Sequence, residues 1–495
     1  MQEKKDKKAL SPIARRPRGF NDIRADVLAN SQSIISAIMT TYKAWGFEPL
    51  ETGAMEYSDC LGKFLPDDDR PNAGVFSLQD DDDQWMSLRY DLTAPLARFV
   101  AEHWDSLPKP FRRSAAGPVW RNEKPGPGRY REFWQCDADT VGSARPEADA
   151  EIIAMGGAAL EAAGIGNADY CMKVSNRKLL DGLLQEVGVN VDDISSRLVI
   201  MRAIDKLDRL GETGVTDLLG AGRKDPSGDF THGANLNTSQ IDKILAFTRT
   251  RRDSRTATLD GLSVVIGGNI LGNEALEELA KIDATLTSLG VKSSNAEFDP
   301  AIVRGLEYYT GTVFETDYLR ETKDENGRSV RFGSIGSGGR YDDLVMRFRG
   351  ERVPATGYSI GVSRLMAALE CAGNKPIAPE GPVIILCLDN DYIANYFKMA
   401  QELRAGGIAA EVYLGASGMK AQMKYADRRA ASLVVIEGSN EREKGTITLK
   451  DLKLGARLAQ SIEDNSAWRA ERPAQKEVAR TDLVAEVNAM LAANK

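Results

Sequence analysis

The segment VWRNEKPGPGRYREFWQCDADTVG, residues 119–142, limits the folds open to this chain more than any other stretch. Two apolar, strand-like pieces flank a proline- and glycine-rich loop at 125–128, so the segment predicts a β-hairpin. Arg121, Arg129 and Arg131 alternate along it and can therefore point to one side. Three arginines on one face repel one another unless an anion lies among them, and the guanidinium fork suits phosphate. The hairpin predicts a phosphate-binding surface, with a charged, solvated face as the alternative.

The same face carries further polar groups. Glu123 shares the parity of Arg121, and Phe133 offers a ring on which a base can stack. Gln135, Asp137 and Asp139 then alternate along the second strand. Polar groups beside an arginine cluster predict a pocket that binds a polar ligand.

The stretch LRYDLTAP, residues 88–95, reads as a strand with Asp91 and Thr93 on one face. A carboxylate and a hydroxyl at this spacing can hold an ammonium group. An exposed alternating strand fits the same pattern equally well.

The stretch VRGLEYYTGTVFE, residues 303–315, also reads as a strand because aromatic and β-branched residues dominate it. It opens with Arg304 and Glu307, and two phenols, Tyr308 and Tyr309, follow. This mixture is unusual for a strand that only fills a core.

Two glycine-containing stretches complete the set of candidate site segments. SGGRYDDLV, residues 337–345, has adjacent glycines that permit close approach of the backbone. TGYSIGVSRLMAAL, residues 356–369, predicts a strand running into a helix, with Gly361 at the junction and Arg364 in the first helical turn. A helix N-terminus beside an arginine is an anion site; a strand–turn–helix packed for stability is the alternative.

Composition excludes several classes of protein. The chain has 495 residues, a net charge of −8 and no run of about 18 apolar residues, which argues against a membrane span. Its five cysteines are far apart with no CxxC pair, which argues against a disulfide framework or a zinc site and favours a reducing cytoplasm. The only histidines, His103 and His232, lie in no recognisable nucleophile motif, so Ser-His or Cys-His catalysis is not expected.

The chain is too long for one hydrophobic core, and changes in pattern predict its divisions. Residues 1–17 read as a disordered basic arm. Residues 18–375 read as one domain that mixes strands and helices, with a helical insertion at about 186–285. A glycine- and proline-containing linker follows, and residues 380–495 alternate strands and helices as a small α/β domain with a C-terminal helical tail.

These motifs resemble one family. RNE at 121–123 with GRYREF at 128–133 resembles motif 2 of class II aminoacyl-tRNA synthetases, and GVSRL at 361–365 resembles motif 3. VRGLEYYTGTVFE and SGGRYDDLV are similar to two signature stretches of histidyl-tRNA synthetases. The C-terminal KAQMKYADRRAASLVVIEG resembles the anticodon-binding domain of that family. The resemblance implies an α+β fold: a class II antiparallel sheet flanked by helices, with a helical insertion and a C-terminal α/β anticodon-binding domain.

The resemblance also implies roles for individual residues. Arg304 and Arg121 are the implied catalytic residues. The implied histidine-binding residues are Asp91, Thr93, Arg121, Gln135, Asp139, Arg304, Tyr308, Tyr309 and Tyr341. The implied ATP-binding residues are Arg121, Glu123, Arg129, Phe133 and Arg364.

The implied activity is the ATP-dependent ligation of L-histidine to tRNA(His) through a histidyl-adenylate. ATP is expected as its Mg²⁺ complex, with no tightly bound metal or organic cofactor. The expected partners are tRNA(His), L-histidine, ATP and a second copy of the chain, in the cytoplasm and away from membranes. Two alternatives remain: a catalytically inactive regulatory subunit of histidine biosynthesis, and an RNA-binding or stress-sensing module on the same fold.

Three positions depart from the family pattern. Gly53 stands where motif 1 has proline, which bears on the rigidity of the dimer interface, and Glu307 replaces an aspartate. Gly126 and Pro127 stand in the motif 2 loop where common bacterial members carry Gln and Lys. Because neither residue has a side-chain donor or acceptor, we expect that the extra 5′ nucleotide of the tRNA is not read in the usual manner.

Overall fold

The computed structural model describes residues 13–61, 74–126, 130–190, 193–224, 228–266, 268–302, 308–323, 329–330, 333–373, 380–459 and 474–494. The chain divides into two compact units, Met1–Pro376 and Ile377–Lys495. Of the predicted basic arm, residues 13–17 are exposed, irregular chain, and residues 1–12 lie outside the described ranges. Within the described ranges, no helix has the length and apolar character needed to cross a membrane.

The first unit mixes helices and strands throughout. Its helices are α1 (Ala25–Ala44), α2 (Ser58–Leu61), α3 (Thr93–His103), α4 (Pro146–Ala162), α5 (Arg177–Glu186), α6 (Ile194–Ile204), α7 (Leu207–Leu219), α8 (Thr238–Thr248), α9 (Arg255–Ile266), α10 (Ile270–Ser288), α11 (Met346–Arg349) and α12 (Val362–Cys371). Its strands are β1 (Glu48–Pro49), β2 (Met55–Tyr57), β3 (Ser77–Gln79), β4 (Trp85–Leu88), β5 (Phe111–Trp120), β6 (Glu132–Val141), β7 (Tyr170–Asn176), β8 (Gly222–Lys224), β9 (Phe230–His232), β10 (Ala296–Phe298), β11 (Thr312–Tyr318), β12 (Thr322–Lys323), β13 (Ser329–Val330), β14 (Ser334–Arg340) and β15 (Ala355–Gly361).

The main sheet of the described residues has eight strands in the order β1-β5-β6-β15-β14-β11-β7-β10. The two outer pairs, β1 with β5 and β10 with β7, are parallel, and the inner pairs are antiparallel. The expected antiparallel sheet flanked by helices is therefore confirmed. The central strands β6, β15, β14 and β11 come from segments far apart in the chain, so long-range pairing builds the middle of the sheet.

The largest core cluster lies on one face of this sheet, and a smaller cluster that includes Phe111 and Val141 lies on the other. Helix α1 contributes the buried side chains of Ile34, Ile38 and Tyr42 to the largest cluster. Tyr42 donates its phenol hydrogen to the carbonyl of Cys136 at 3.2 Å. Cys136 and Ala138 of β6 belong to this core cluster, which also takes in residues of α4 and α12. Because side chains alternate along a strand, the neighbouring odd-numbered residues of β6 point to the opposite face.

The region of the predicted helical insertion holds α6 to α9 and most of α10. It also contains a short antiparallel hairpin, β8 with β9, in which Arg223 pairs with Thr231. The sequence reading did not anticipate this hairpin. Each of its strands has only three residues, too few to show a period of two.

The second unit has its own sheet and core. Its elements are β16 (Val383–Ile385), α13 (Ile393–Ala405), β17 (Ala410–Val412), α14 (Met419–Arg428), β18 (Leu433–Ile436), α15 (Ser439–Lys444), β19 (Thr446–Asp451), α16 (Leu452–Ala459), β20 (Gln475–Ala479) and α17 (Leu483–Ala493). The strand order is β17-β16-β18-β19-β20, parallel across the first three and antiparallel beyond. The predicted α/β pattern is confirmed. The tail holds the predicted helix, α17, but also β20, which pairs with β19 and buries Val478.

Candidate active site

The hairpin of β5 and β6 places a row of polar side chains on the face of the sheet opposite the core. Its register pairs Gly117 with Gln135 and Ala115 with Asp137, so small residues stand beside the polar ones. Arg113 lies opposite Asp139. The prediction that the polar residues of β6 share one face is confirmed. The Arg89 guanidinium lies against Gly117, where a Cβ would be 2.5 Å from its Nη2.

The chain around Asp91 adopts a different local structure from the predicted strand. Its Oδ1 accepts hydrogen bonds from the backbone N–H groups of Thr93 at 3.2 Å and Ala94 at 2.9 Å. Strand β4 ends at Leu88, where the predicted strand was to begin, and helix α3 begins at Thr93. The strand prediction was wrong because an aspartate side chain can bind the first free N–H groups of a helix. Asp91 and Thr93 nevertheless lie together and buried.

Asp139 lies in a buried network. Arg113 Nη1 is 3.3 Å from Asp139 Oδ2, and both side chains are almost fully buried. The phenol of Tyr341 donates to Asp139 Oδ1. A side chain at Gly357 would place its Cβ 1.9 Å from that same oxygen, so only glycine fits beside Asp139. Asp139 is thereby fixed in position by a guanidinium, a phenol and a strand without side-chain bulk.

Tyr308 and Tyr309 form an aromatic wall next to this network. Their ring centroids are 4.9 Å apart, and the Tyr308 and Tyr341 rings are 5.9 Å apart. Arg177 donates to the carbonyl of Tyr309 at 3.2 Å. The predicted strand 303–315 is shorter than expected, because β11 begins only at Thr312. Its first part, residues 303–307 with Arg304, lies outside the described residues.

Burial shifts the acidities in this pocket. The pKa values of the Asp91, Asp137 and Asp139 carboxyls are raised, mainly because burial disfavours their charge. The buried Arg113 opposes that shift for all three. The pKa of the Tyr309 phenol is also raised by burial and by the three neighbouring carboxylates. The phenols therefore remain protonated donors at neutral pH.

Several buried polar atoms of this cluster have no hydrogen-bond partner within the described structure. Four are acceptors, Asp91 Oδ2, Gln135 Oε1, Asp137 Oδ1 and Asp139 Oδ2, and two are donors, Nε and Nη1 of Arg113. Arg113 Nη1 and Asp139 Oδ2 form an ion pair at 3.3 Å. Buried polar atoms are normally paired, and leaving one unpaired costs about 1–3 kcal/mol. The arrangement therefore suits a small ligand that carries several N–H donors.

A larger cavity adjoins the carboxylate pocket. It has a volume of about 400 Å³, and Gln135 and Tyr309 belong to its lining. Four predicted nucleotide-binding side chains line it: Arg121, Glu123, Phe133 and Arg364. The Arg121 guanidinium carbon lies 5.1 Å from the centroid of the Phe133 ring.

The two described arginines of the hairpin loop region, Arg121 and Arg131, make different contacts. Arg121 lines the cavity, and its Nε donates to the carbonyl of Tyr90 at 3.1 Å. Arg131 Nε instead donates to the carbonyl of Glu123 at 2.9 Å, which ties the two sides of the loop. Arg131 does not belong to the lining of the cavity, and Arg129 lies outside the described residues, so the shared ligand-binding face of the three arginines stays a prediction.

The strand–helix junction at Gly361 is confirmed. β15 ends at Gly361, α12 begins at Val362, and Arg364 lies in the first turn. Arg364 Nη1 donates to the carbonyl of Ser334 at 2.9 Å. The junction thus presents a guanidinium and a helix N-terminus to the same cavity.

Two residues of the pocket went unnoticed in the sequence. Arg113 has the parity of Arg121 and lies eight residues earlier in the chain, which was a usable signal. Ser359 accepts a hydrogen bond from Gln135 Nε2 at 2.6 Å, a contact across 224 residues that no local pattern reveals. Among the described residues, no group of three His, Cys, Asp or Glu side chains is arranged to hold a metal ion.

The fold and the site define a class of protein. A predominantly antiparallel sheet carries an arginine-bearing hairpin, a strand–helix junction with its own arginine, and a nucleotide-sized cavity between them. This combination is that of a class II aminoacyl-tRNA synthetase.

Comparisons with known proteins narrow the class. A sequence model described as histidyl-tRNA synthetase matches residues 19–365, and one described as an anticodon binding domain matches residues 382–489. The histidine–tRNA ligases of Caulobacter vibrioides and Brucella ovis are 58% and 53% identical to the chain, over 97% and 98% of its length and 97% of theirs. The crystal structure of histidyl-tRNA synthetase from Nostoc sp. PCC 7120 is 28% identical, has a TM-score of 0.71, and covers 97% of this chain and 99% of its own. The chain belongs to the histidyl-tRNA synthetase family.

Proposed function

We propose that the protein ligates L-histidine to tRNA(His), with ATP consumed and a histidyl-adenylate formed as the intermediate. The observation that carries this proposal is a buried cluster of acceptor atoms beside a cavity. The cluster holds acceptor atoms without a hydrogen-bond partner, which suit an ammonium group and ring N–H groups. The cavity, lined by arginines and an aromatic ring, suits a nucleotide. Gln135 and Tyr309 belong both to the cluster and to the lining of the cavity, and the two substrates are proposed to react there.

The proposed roles follow the sequence assignment. We assign histidine binding to Asp91, Thr93, Arg121, Gln135, Asp139, Arg304, Tyr308, Tyr309 and Tyr341. We assign ATP binding to Arg121, Glu123, Arg129, Phe133 and Arg364. Asp91 Oδ2 and Gln135 Oε1, which have no hydrogen-bond partner within the described structure, are the proposed acceptors for the α-ammonium group. Asp139 Oδ2, which lies 3.3 Å from Arg113 Nη1, is the proposed acceptor for the imidazole.

The first step is an in-line displacement at phosphorus. A carboxylate oxygen of histidine forms a bond to the α-phosphorus of ATP as the bond from that phosphorus to the bridging oxygen breaks, and pyrophosphate leaves with the electron pair. Positioning and fixed cations supply most of the catalysis of phosphoryl transfer. Arg121 and Arg304 are the proposed cations at the α-phosphate. No general base is needed, because the attacking carboxylate is already ionised at neutral pH.

The second step transfers the aminoacyl group. The terminal ribose hydroxyl of the tRNA attacks the carbonyl carbon of the adenylate, and AMP leaves. Mg²⁺ enters as part of the ATP substrate complex, where it neutralises phosphate charge. We further propose that residues 18–375 form the catalytic domain, that residues 380–495 bind the anticodon region, and that the enzyme acts as a cytoplasmic homodimer.

The regulatory-subunit alternative is less supported. The chain carries a C-terminal unit that matches the anticodon binding domain. Its cavity also keeps Arg121 and Arg364, which a protein without nucleotide chemistry does not require. Curated histidine–tRNA ligases match nearly the whole chain.

Histidine-dependent exchange of pyrophosphate into ATP tests the first step directly. We expect exchange with the pure protein, and a loss of about 10²-fold or more in Arg121→Ala and Arg304→Ala, because each removes a fixed cation at the reacting phosphate. Arg249→Ala is the matched control, since Arg249 is an exposed arginine paired with Glu212. Absence of histidine-dependent exchange in the pure wild-type protein would contradict the proposed function.

A further inference from the structure

Arg89 is a buried arginine to which the proposed reaction assigns no contact with a substrate. It follows the last residue of β4 and is 4% exposed. Its guanidinium donates hydrogen bonds to three backbone carbonyls, those of Thr52 at 2.8 Å, Gly53 at 3.4 Å and Pro118 at 3.0 Å. A guanidinium that bonds carbonyl oxygens in this way fixes backbone segments relative to one another.

The three carbonyls belong to two segments that are far apart in the chain. Residues 52–54 lie between β1 and β2, whereas Pro118 lies in β5, near the loop of the hairpin. The main chain of Arg89 makes the same two connections. Its N–H donates to the carbonyl of Ala54 at 3.0 Å, and its carbonyl accepts from the N–H of Trp120 at 3.0 Å. Arg89 therefore joins the 52–54 segment to the end of β5 through both its side chain and its backbone.

The guanidinium of Arg89 has little room to move. A Cβ at Gly117 would lie 2.5 Å from its Nη2, so a larger residue there would push the guanidinium away from the carbonyls. The ring of Trp120 lies on another side, with its centroid 6.0 Å from the guanidinium carbon. The planar fork reaches carbonyls in different directions at once, which a lysine ammonium group cannot reproduce.

The two residues after Arg89 carry groups of the proposed reaction. The carbonyl of Tyr90 accepts the hydrogen bond from Arg121 Nε at 3.1 Å, and this bond directs a guanidinium that lines the nucleotide cavity. Asp91 accepts hydrogen bonds from the first N–H groups of α3. Consecutive Cα atoms are only about 3.8 Å apart, so a displacement of Arg89 is passed on to both neighbours.

We propose that Arg89 is a positioning residue, which holds the Tyr90 carbonyl in place and through it orients Arg121 toward the α-phosphate of ATP. This inference rests on the proposed function, because the contact of Arg121 with the phosphate is itself proposed. Arg89 touches no substrate and acts only through geometry. A misplacement of about 1 Å can cost a reaction about 10²-fold in rate, so the position of the Arg121 guanidinium matters as much as its charge.

The variant Arg89→Lys keeps the positive charge and removes the planar fork. We expect the kcat of histidine-dependent pyrophosphate exchange to fall about 10-fold or more, because one ammonium nitrogen cannot span the carbonyls of Thr52 and Pro118. Circular dichroism shows whether the variant is folded. A folded Arg89→Lys protein with the kcat of the wild type would overturn the inference.

A double-mutant cycle with Arg121 separates positioning from general support of the fold. If Arg89 acts through Arg121, Arg89→Lys should change the rate by less than about twofold when Arg121 is already alanine. The rate is that of single-turnover adenylate formation at saturating histidine, so that an effect on Asp91 appears in the KM for histidine instead. Equal losses with and without the Arg121 side chain would contradict the positioning role.

Arg255→Lys is the matched control. Arg255, at the start of α9, is also a buried arginine, and it donates to the carbonyls of Ala296 at 2.9 Å and Val291 at 3.1 Å. We expect this variant to have a lower Tm and an unchanged kcat. A loss of kcat equal to that in Arg89→Lys would show that general destabilisation causes both, and would contradict the inference.

Gly117→Ala tests the same contact without changing Arg89. Its added Cβ should displace the guanidinium, so we expect a lower kcat that again depends on the presence of Arg121. Where Arg89→Lys yields no folded protein, Gly117→Ala decides by the same criteria.

The two proposals can fail separately. If the pure wild-type protein supports no histidine-dependent exchange, the proposed function is wrong. If it supports exchange while Arg89→Lys costs the same with and without Arg121, only the role of Arg89 is wrong.

Discussion

Asp139 is held by two neighbours, and one of them is a phenol. Burial and the adjacent carboxylate raise the pKa of Tyr341, so its hydroxyl remains a donor at neutral pH. With Oδ1 held by this hydrogen bond, Oδ2, which lies 3.3 Å from Arg113 Nη1, is the oxygen proposed to contact the ligand. Tyr341 therefore orients the carboxylate that is proposed to read the imidazole.

Removal of that phenol should affect histidine more than the fold. In Tyr341→Phe we expect the KM for histidine to rise about 10-fold, because a hydrogen bond to a charged group contributes about 1.5–3 kcal/mol. The KM for ATP should stay within about twofold, because Tyr341 does not belong to the lining of the nucleotide cavity. Both constants are measured by pyrophosphate exchange.

Tyr358→Phe is the matched control. It removes another buried phenol, which is hydrogen-bonded to Thr316 at 2.6 Å and packs in the main core. We expect a lower Tm and an unchanged KM for histidine. An unchanged histidine KM in Tyr341→Phe would show that Asp139 keeps its orientation without the phenol.

At the scale of elements, β14 and β15 stand out for their small residues. The sequences SIGSGGR and ATGYSIG leave the backbone itself as the wall of the site. A Cβ at Gly357 would lie 1.9 Å from Asp139 Oδ1 and 3.1 Å from the carbonyl of Ala138. A strand rich in glycine is weak by itself. The space that the small residues of β14 and β15 leave on the ligand side of the sheet explains their presence in these strands.

Gly357→Ala should therefore displace Asp139. We expect the KM for histidine to rise at least 10-fold and the free energy of unfolding to fall by about 1–3 kcal/mol, as for other overpacked sites. Gly268→Ala is the control, since no atom lies within 4 Å of a Cβ at that position. Wild-type kinetics in Gly357→Ala would mean that Asp139 moves aside at no cost to binding.

The sequence predicted elements in which the type of side chain repeats with a regular period. It did not predict elements whose conformation depends on a single side chain. The alternation of Gln135 and Asp139 correctly predicted β6 and its polar face, since a period of two has one meaning in a half-buried strand. The alternation of Asp91 and Thr93 led to a wrong strand prediction, because Asp91 instead accepts hydrogen bonds from the first N–H groups of α3. Arg113 was missed because its partner Asp139 is identified only by the register of β5 and β6.

At the scale of the whole molecule, the two compact units have separate cores. The main core of the first unit draws only on residues up to Leu369. The cores of the second unit draw on residues from Val383 onward. A unit with its own core is able to fold alone.

Fragments provide the corresponding test. We expect residues 377–495 to fold alone with a cooperative thermal transition, and residues 1–376 to retain histidine-dependent pyrophosphate exchange. Charging of tRNA by the shorter chain should fall much further than exchange, because the proposed anticodon contacts are lost. Circular dichroism measures the folding of the 377–495 fragment, and the two activity assays measure exchange and charging by the 1–376 fragment. An unfolded 377–495 fragment, or equal losses in exchange and charging, would contradict this division.

The hydrogen bond between Gln135 and Ser359 spans 224 residues, and it has a consequence for the order in which the chain is made. At about 5–20 residues per second, translation needs roughly 11–45 s to cover that interval. Throughout this period β6 has left the ribosome with β5 beside it but without β15, so its buried carboxylates have a strand on one side only. Under the proposed assignment, histidine gains its full set of contacts only after β15 emerges. Chains interrupted within this interval are therefore expected to gain little protection from the amino acid.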